Sequence, residues 1–444
     1  MASNPIVNMF KVKEIRDRLF FTFLILAVFR LGSVLTVPGI DANVLIKYFD
    51  DLAAQNKNAF ASYMDFFVGG AFSNFSILML GVMPYISTQI IMQLAVIIFP
   101  SLKRISQEDG GQRKIAQYTR IGTIIVCIIQ AWGMSVYANS IPGCIVLENK
   151  MAFKALFLIT VTTGSMVTVW LGDQITARGI GNGISMMIFA GIVARLPNAI
   201  VELAQKVKAG EIQPVFIVLV VIMFIAIIAL VIYEESGQRK IPVHYAKRVV
   251  GRKMYGGQST YIPFKVNPSN VIPLIFASSI LTLPLQLAST YAKGQNSARW
   301  ISSVSRVLTP NGPWYNLLLV ILIIFFAYFY TQVTLNPTEI AKNIRENGGS
   351  IPGVRTDKTE EYLTKILNRL ILPGSLFLAL IAVIPTLVQI WFGFPQSISQ
   401  LMGGTSLIIL IGVDLDTMSQ VEALLKMHHH EGLTKKGKIR SRSL

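Results

Sequence analysis

The stretch YMDFFVGGAFSNFSILMLGVMPYISTQIIMQ, residues 63–93, decides how the chain is read. It opens as a short amphipathic piece, passes through Gly69-Gly70-Ala71, and becomes an apolar run from Phe75 to Phe99. About 20 apolar residues cross a bilayer, so the run is long enough to span one. Yet Pro84 sits in its middle, followed by Ser87, Thr88, Gln89 and Gln93. A span that only anchored the chain has no use for these. Irregular backbone and polar side chains at membrane depth are tolerated where they face protein or water rather than lipid. The run is therefore expected to border an interior path.

Apolar runs recur along the whole chain. Its 444 residues are 52% hydrophobic and only 14% charged, with mean hydropathy +0.55. A soluble chain carries roughly 25% charged residues. The expected fold is an all-α integral membrane protein with ten spans, near 19–37, 75–98, 118–138, 154–172, 184–204, 214–233, 270–289, 315–334, 370–391 and 404–425. The first run is too long for a signal peptide and no small-residue cleavage site follows it, so it reads as a retained span. Residues 1–18 form a basic amphipathic lead-in at the membrane surface, and 426–444 a basic tail.

Charge sets the orientation. Net charge is +17, from 40 Lys and Arg against 23 Asp and Glu. If the N-terminus, the loops at 99–117, 173–183, 234–269 and 335–369, Arg120 and the tail share one side, that side holds 29 of the 40 cations. The positive-inside rule makes it cytoplasmic, with both termini there. The loop at 234–269 interleaves Arg239, Lys240, Arg252 and Lys253 with Tyr245, Tyr255 and Tyr261. The loop at 335–369 carries Lys342, Arg345, Arg355 and Lys358, with turns at Asn347-Gly348-Gly349 and Pro352-Gly353. Such loops suit two partners: anionic phospholipid, or an acidic protein or RNA surface.

Catalytic chemistry is thinly represented. The four histidines lie in a loop (His244) and in the tail (His428, His429, His430), outside every span. That speaks against a membrane-embedded nucleophile–histidine pair or a histidine-ligated metal. Asp414 and Asp416 lie inside the last span, and a spacing of two puts them roughly 200° apart on a helix. They are expected near the cytoplasmic end, hydrogen-bonded within the bundle. Arg30 and Arg195 are explained by snorkelling to an interface. GIGNG at 179–183 lacks the strand and βαβ context of a phosphate loop and reads as a glycine-rich helix entry. Cys127 and Cys144 suggest no disulfide framework. No catalytic residue, metal site or cofactor is expected. A secondary transporter would need a midplane ion or substrate site, and an intramembrane protease embedded catalytic groups.

Several runs are more specific: VPGID (37–41), GGAFSNFSILMLGVMPYISTQII (69–91), QRKIAQYTR (112–120), WLGDQITARGIGNGISMMIFAGIVA (170–194), GQRKIPVHYAKR (237–248), QSTYIPFKVNPSNVIPLIFASSI (258–280), FFAYFYTQVTLNPTEIA (325–341), IPGVRT (351–356) and GGTSLII (403–409). Together, and in this order, they resemble the SecY family of protein-translocation channels over nearly the whole chain. The resemblance implies two pseudo-symmetric halves, spans 1–5 (19–205) and 6–10 (206–425), around an hourglass pore. It implies a plug at 63–74, including Phe66, Phe67, Gly69, Gly70, Ala71 and Phe72. It implies an apolar pore ring of Val82, Ile86, Ile184, Ile188, Ile275 and Ile409, a soft gasket that excludes water by dewetting. A lateral gate would run through Ser87, Thr88, Gln93, Ser278, Ser279 and Thr282, where polar groups pair weakly across a seam. Arg252, Lys253 and Arg355 would dock the motor ATPase SecA or the ribosome. The implied setting is the inner (plasma) membrane of a bacterium. The implied partners are SecE and SecG, then SecA, the ribosome, preproteins with their signal sequences, anionic phospholipids, and further SecDF and YidC. The channel itself hydrolyses nothing; SecA, translation or the proton-motive force supplies the energy.

Overall fold

Proline and asparagine begin many of the helices. The computed structural model describes residues 12–54, 65, 68–139, 141–210, 214–245, 248–250, 253–255, 259–291, 312–392 and 404–436. The helices are α1 (Lys13–Gly32), α2 (Ala42–Ala54), α3 (Met83–Ile98), α4 (Pro100–Gln107), α5 (Gly111–Asn139), α6 (Lys150–Arg178), α7 (Gly183–Lys208), α8 (Pro214–Ser236), α9 (Ile272–Tyr291), α10 (Pro313–Thr334), α11 (Pro337–Glu346), α12 (Thr359–Phe392) and α13 (Gly404–Lys436). Proline occupies the first turn of α3, α4, α10 and α11, where its missing N–H costs nothing. Asn149 and Asn336 cap α6 and α11 by accepting the backbone N–H of Met151 and Thr338.

Each expected span falls on its own helix: α1, α3, α5, α6, α7, α8, α9, α10, α12 and α13. Among the described residues, six helices are long and apolar enough to cross a membrane, seven if α3 and α4 count as one bent span. The chain turns by 101° between those two. Phe99, ahead of Pro100, is extended (ψ 112°), as a residue before proline tends to be.

The second span differs from its sequence reading. The apolar run begins at Phe75, but the helix begins at Met83. Residues 69–82 form successive turns. Pro84 therefore lies in the first turn of α3 rather than in mid-span. Hydrophobicity alone does not separate a helix from an apolar turn segment packed inside protein, and Gly69, Gly70 and Gly81, all at positive φ, favour the turns.

The chain folds as two compact units, Met1–Asn198 with Ile409–Leu444, and Ala199–Ile408. In the first, α3 packs on α5, α5 on α6, and α6 on α1. In the second, α9 packs on α10, α10 on α12, and α12 on α8. Counted as spans, the orders are 2-3-4-1 and 7-8-9-6. The same neighbour order recurs five spans later, the signature of an internal structural repeat.

The second unit also holds a small sheet that the sequence reading treated as loop. Strand β1 (Gln238–Tyr245) pairs antiparallel with β4 (Ser259–Lys265), Ile241 opposite Ile262, and with β5 (Gly349–Ser350), His244 opposite Ser350. A hairpin of β2 (Arg248–Val250) and β3 (Lys253–Tyr255) projects between β1 and β4 in sequence. Ile241 and Val243 point inward, two residues apart as a pleat requires, onto Phe264, Ile344, Leu363 and Leu367. The two basic loops thus share one core with α11 and the start of α12. The Lys265 ammonium pairs with the buried Glu235 carboxylate at 3.1 Å, fixing the end of β4 to the end of α8.

Candidate functional site

The turn segment ahead of α3 is the site on which the first unit converges. Its exit is fixed by the chain that follows α1: the N–H of Val37 donates to Phe75 O and the N–H of Ile77 to Leu35 O, both at 2.9 Å. Phe75 is fully buried at φ 43°, a left-handed conformation that costs a bulky residue roughly 1–3 kcal/mol. Its ring is held in compensation, stacked on Tyr137 at 6.2 Å and packed on Phe157 at 6.3 Å and Phe72 at 6.1 Å. On the α6 side, a Cβ at Gly164 would lie 2.0 Å from Ile77 O, so only glycine admits this approach.

The other end of the segment is held by cations. Arg195 of α7 forms an ion pair with the buried carboxylate of Asp65 and reaches Ser73 Oγ at 3.5 Å. Asp65 also accepts the N–H of Ser73 at 2.8 Å, while its carbonyl accepts that of Gly70 at 3.0 Å. Arg30 of α1 donates through Nη1 to Gly69 O at 2.8 Å. Gly69, at φ 66°, lies so close to α7 that a Cβ would fall 2.7 Å from Gly191 O. Snorkelling, the explanation the sequence suggested for both arginines, is thus replaced by inward contacts. The signal was present: intramembrane arginines imply partners, and Asp65 is the acid inside residues 63–74.

Beneath this segment lie apolar side chains from the expected ring. Val82 caps the start of α3 and Ile86 follows one turn later; both are buried. Ile184 and Ile188 repeat that spacing on α7, whose start is capped by Asn182 accepting the N–H of Ile184 at 3.1 Å. Val82 and Ile188 close on Phe29, Met187 and Val68, leaving a void of ≈10 Å³. One water needs about 10–15 Å³ of such space, so the junction has room for at most a single water. Val68 completes this closure and was absent from the residues singled out in the sequence. Ile409 is buried in α13, in the same unit, and Ile275 is half-buried in α9, in the other. Ala71 and Phe72 are buried. Phe66 and Phe67 lie outside the described residues.

The expected gate residues turn their hydroxyls inward along their own helices. Ser87 Oγ donates to Met83 O at 3.1 Å, Thr88 Oγ1 to Pro84 O at 2.8 Å, and Ser278 Oγ to Ile275 O at 3.0 Å. This back-bonding gives each hydroxyl an acceptor within its own helix. Ser279 is buried in α9 and Gln93 is half-buried in α3. The Thr282 side chain lies outside the described residues. A Cβ at Gly122 would meet Thr88 Cγ2 at 2.7 Å, so α5 and α3 approach closely beside this region.

The GIGNG entry proves to be a junction. The N–H groups of Ile180 and Gly181 donate to Thr22 Oγ1 of α1 at 3.1 Å and to Gln420 Oε1 of α13 at 2.9 Å. The backbone of this loop therefore binds the first and last helices of the unit, and no phosphate cradle is needed to account for its glycines. Asp414 and Asp416 of α13 are both exposed. Burial pushes the Cys144 thiol up to about 11, with the nearby Asp41 carboxylate adding to the effect, which disfavours the thiolate.

Of the docking candidates, Arg355 is exposed and precedes a one-turn 3₁₀ helix, Thr356–Lys358. Lys253 lies on β3, and Arg252 falls outside the described residues. On the same β-sheet module Lys240 sits 4.8 Å over the Tyr261 ring. An open cavity of ≈880 Å³ lies between α10 and α12, lined by both signs of charge, including Asp357, Glu361, Lys365 and Arg369.

A helical membrane protein with an internal repeat, in which an apolar turn segment packs into one of the two units, is the class these features define. The SecY family model matches residues 76–418. The protein translocase subunit SecY of Borreliella burgdorferi is 45% identical over 423 residues, 95% of each chain. That of Escherichia coli K12 is 40% identical over 448 residues, 99% of each chain. A solved structure described as showing that the plug domain of the SecY protein stabilises the closed state of the translocation channel has a TM-score of 0.62 at 19% identity, covering 91% of each chain. The chain belongs to the SecY family.

Proposed function

We propose that this chain is the protein-conducting subunit of a bacterial protein translocase. It passes unfolded preproteins across the inner membrane and releases membrane segments sideways into lipid. Near full-length likeness to translocase subunits carries the reading. The close packing of Val82 and Ile188 on Val68 supports residues 63–74 as the plug and the aliphatic side chains as the resting seal. An aliphatic ring suits this work because a polypeptide in transit presents every kind of side chain. Charged walls would trap some of them, whereas aliphatic ones deform around the chain without binding it.

The chain is a passive conduit in this reading. SecA, the ribosome or the proton-motive force drives transport, and SecE and SecG complete the complex. Both termini face the cytoplasm, where the β1–β4 module with Arg252, Lys253 and Arg355 receives SecA or the ribosome. Lipid headgroups of negative charge attract the same face.

Vesicles holding this chain with SecE and SecG test the function. SecA and ATP should render an added preprotein resistant to external protease. No protection with all components present would contradict the reading, and flux of a small solute through the chain alone would favour a transporter.

A further inference from the structure

We propose that Arg30 and Arg195 form a two-point latch that holds the plug shut. This rests on reading residues 63–74 as the plug. The two cations come from the walls, α1 and α7, and each spends a hydrogen-bonding arm on the segment. Arg195 engages it by charge, through the Asp65 carboxylate, and Arg30 by geometry, through the Gly69 carbonyl. The two contacts flank the positive-φ turn at Gly69 and Gly70. Asp65 is itself tied to the turn by the N–H groups of Ser73 and Gly70, so the ion pair seats the whole loop and not one side chain.

The consequence is a coupled seal. When the segment leaves, both guanidinium groups lose their plug contacts at once, in a region where replacement by water requires the junction to wet. Arginine at membrane depth is costly without such contacts. The ion pair therefore favours the seated plug, in which Val68 closes on Val82 and Ile188. At the far end the strained Phe75 marks where the segment joins the fixed part of the fold. Residues 65–73 are then the moving piece, and Phe75 with its aromatic partners is the anchor.

Single-channel recordings of the complete complex test the latch. Arg195→Gln, Arg30→Gln and the isosteric Asp65→Asn should each make resting openings at least roughly tenfold more frequent, as expected when a largely buried charge loses its partner. The exchanged pair, Asp65→Arg with Arg195→Asp, should return the resting conductance towards that of the parent, since coupling between touching residues is read from the double variant. Deleting residues 65–73 sets the reference for a missing plug. If the deletion leaks and the three single variants do not, the latch is wrong and the plug reading stands. If the exchanged pair leaks as much as the two single variants combined, the latch is also wrong. A deletion that leaves the resting channel closed overturns the plug reading and the latch with it. Asp65→Asn is nearly isosteric, and with its assembly checked by copurification of SecE and SecG its conductance decides the matter even if an arginine variant fails to fold.

Discussion

A guanidinium inside a membrane bundle needs a partner. Arg30 and Arg195 each find theirs on one short segment, a carbonyl and a carboxylate. The pairing was only half legible in the sequence. The arginines and Asp65 are visible there, but nothing in linear spacing says that residues 65 and 195 meet. Glycine tells the same story at Gly164, which looks like any small residue in an apolar helix until Ile77 O is found against it. Gly164→Val would drive a side chain into that carbonyl, which cannot move without disturbing the pairing of Ile77 N with Leu35 O. Overpacking of this kind costs about 1–3 kcal/mol. Thermal unfolding of the detergent-solubilised complex should show a clearly lower midpoint for Gly164→Val, whereas an unchanged midpoint would mean the helix and segment separate freely.

Among the elements, helices were the readable part and the sheet was not. Ten apolar runs of helix length gave ten helices with displaced ends. The largest displacement, at α3, has a physical cause: an apolar segment buried against protein need not be helical. Strand β1 did carry an alternating signal, Ile241 and Val243 inward with Lys240, Pro242 and His244 between. Pro242 argues against a strand in sequence, yet β5 pairs with β1 only at His244 and Tyr245, so the proline sits where one edge is open. The pairing of β5 with β1, across more than 100 residues, has no local signature. At this scale the basic module makes its own prediction. Arg355→Glu reverses an exposed charge away from the core of Ile241, Phe264 and Leu363. It should impair SecA- or ribosome-coupled transport several-fold while the chain still inserts and assembles. Normal transport rates would remove Arg355 from the docking surface.

For the molecule as a whole, the sequence pointed to a membrane bundle, and the family motifs supplied the division into halves. The structure adds the recurrence of neighbour order, 2-3-4-1 and 7-8-9-6, which no pairwise sequence pattern displays. The units divide so that residues from Ile409 onward join the first, giving it a side chain of the expected ring from the last helix. The GIGNG junction explains how: Gly181 holds Gln420 of α13 while Ile180 holds Thr22 of α1. The ring proposed for the conduit draws on distant parts of the chain, and its residues cannot be picked out by type, since isoleucine in a membrane helix usually faces lipid or core. The most direct test is to stall a preprotein in the complex and place a photo-crosslinking residue at single positions of this chain. Channel function predicts strong adducts from Ile86, Ile188 and Ile409 and none from the exposed Trp170 on α6. Equal adducts from all four positions, or adducts from Trp170 alone, would contradict a path through this ring.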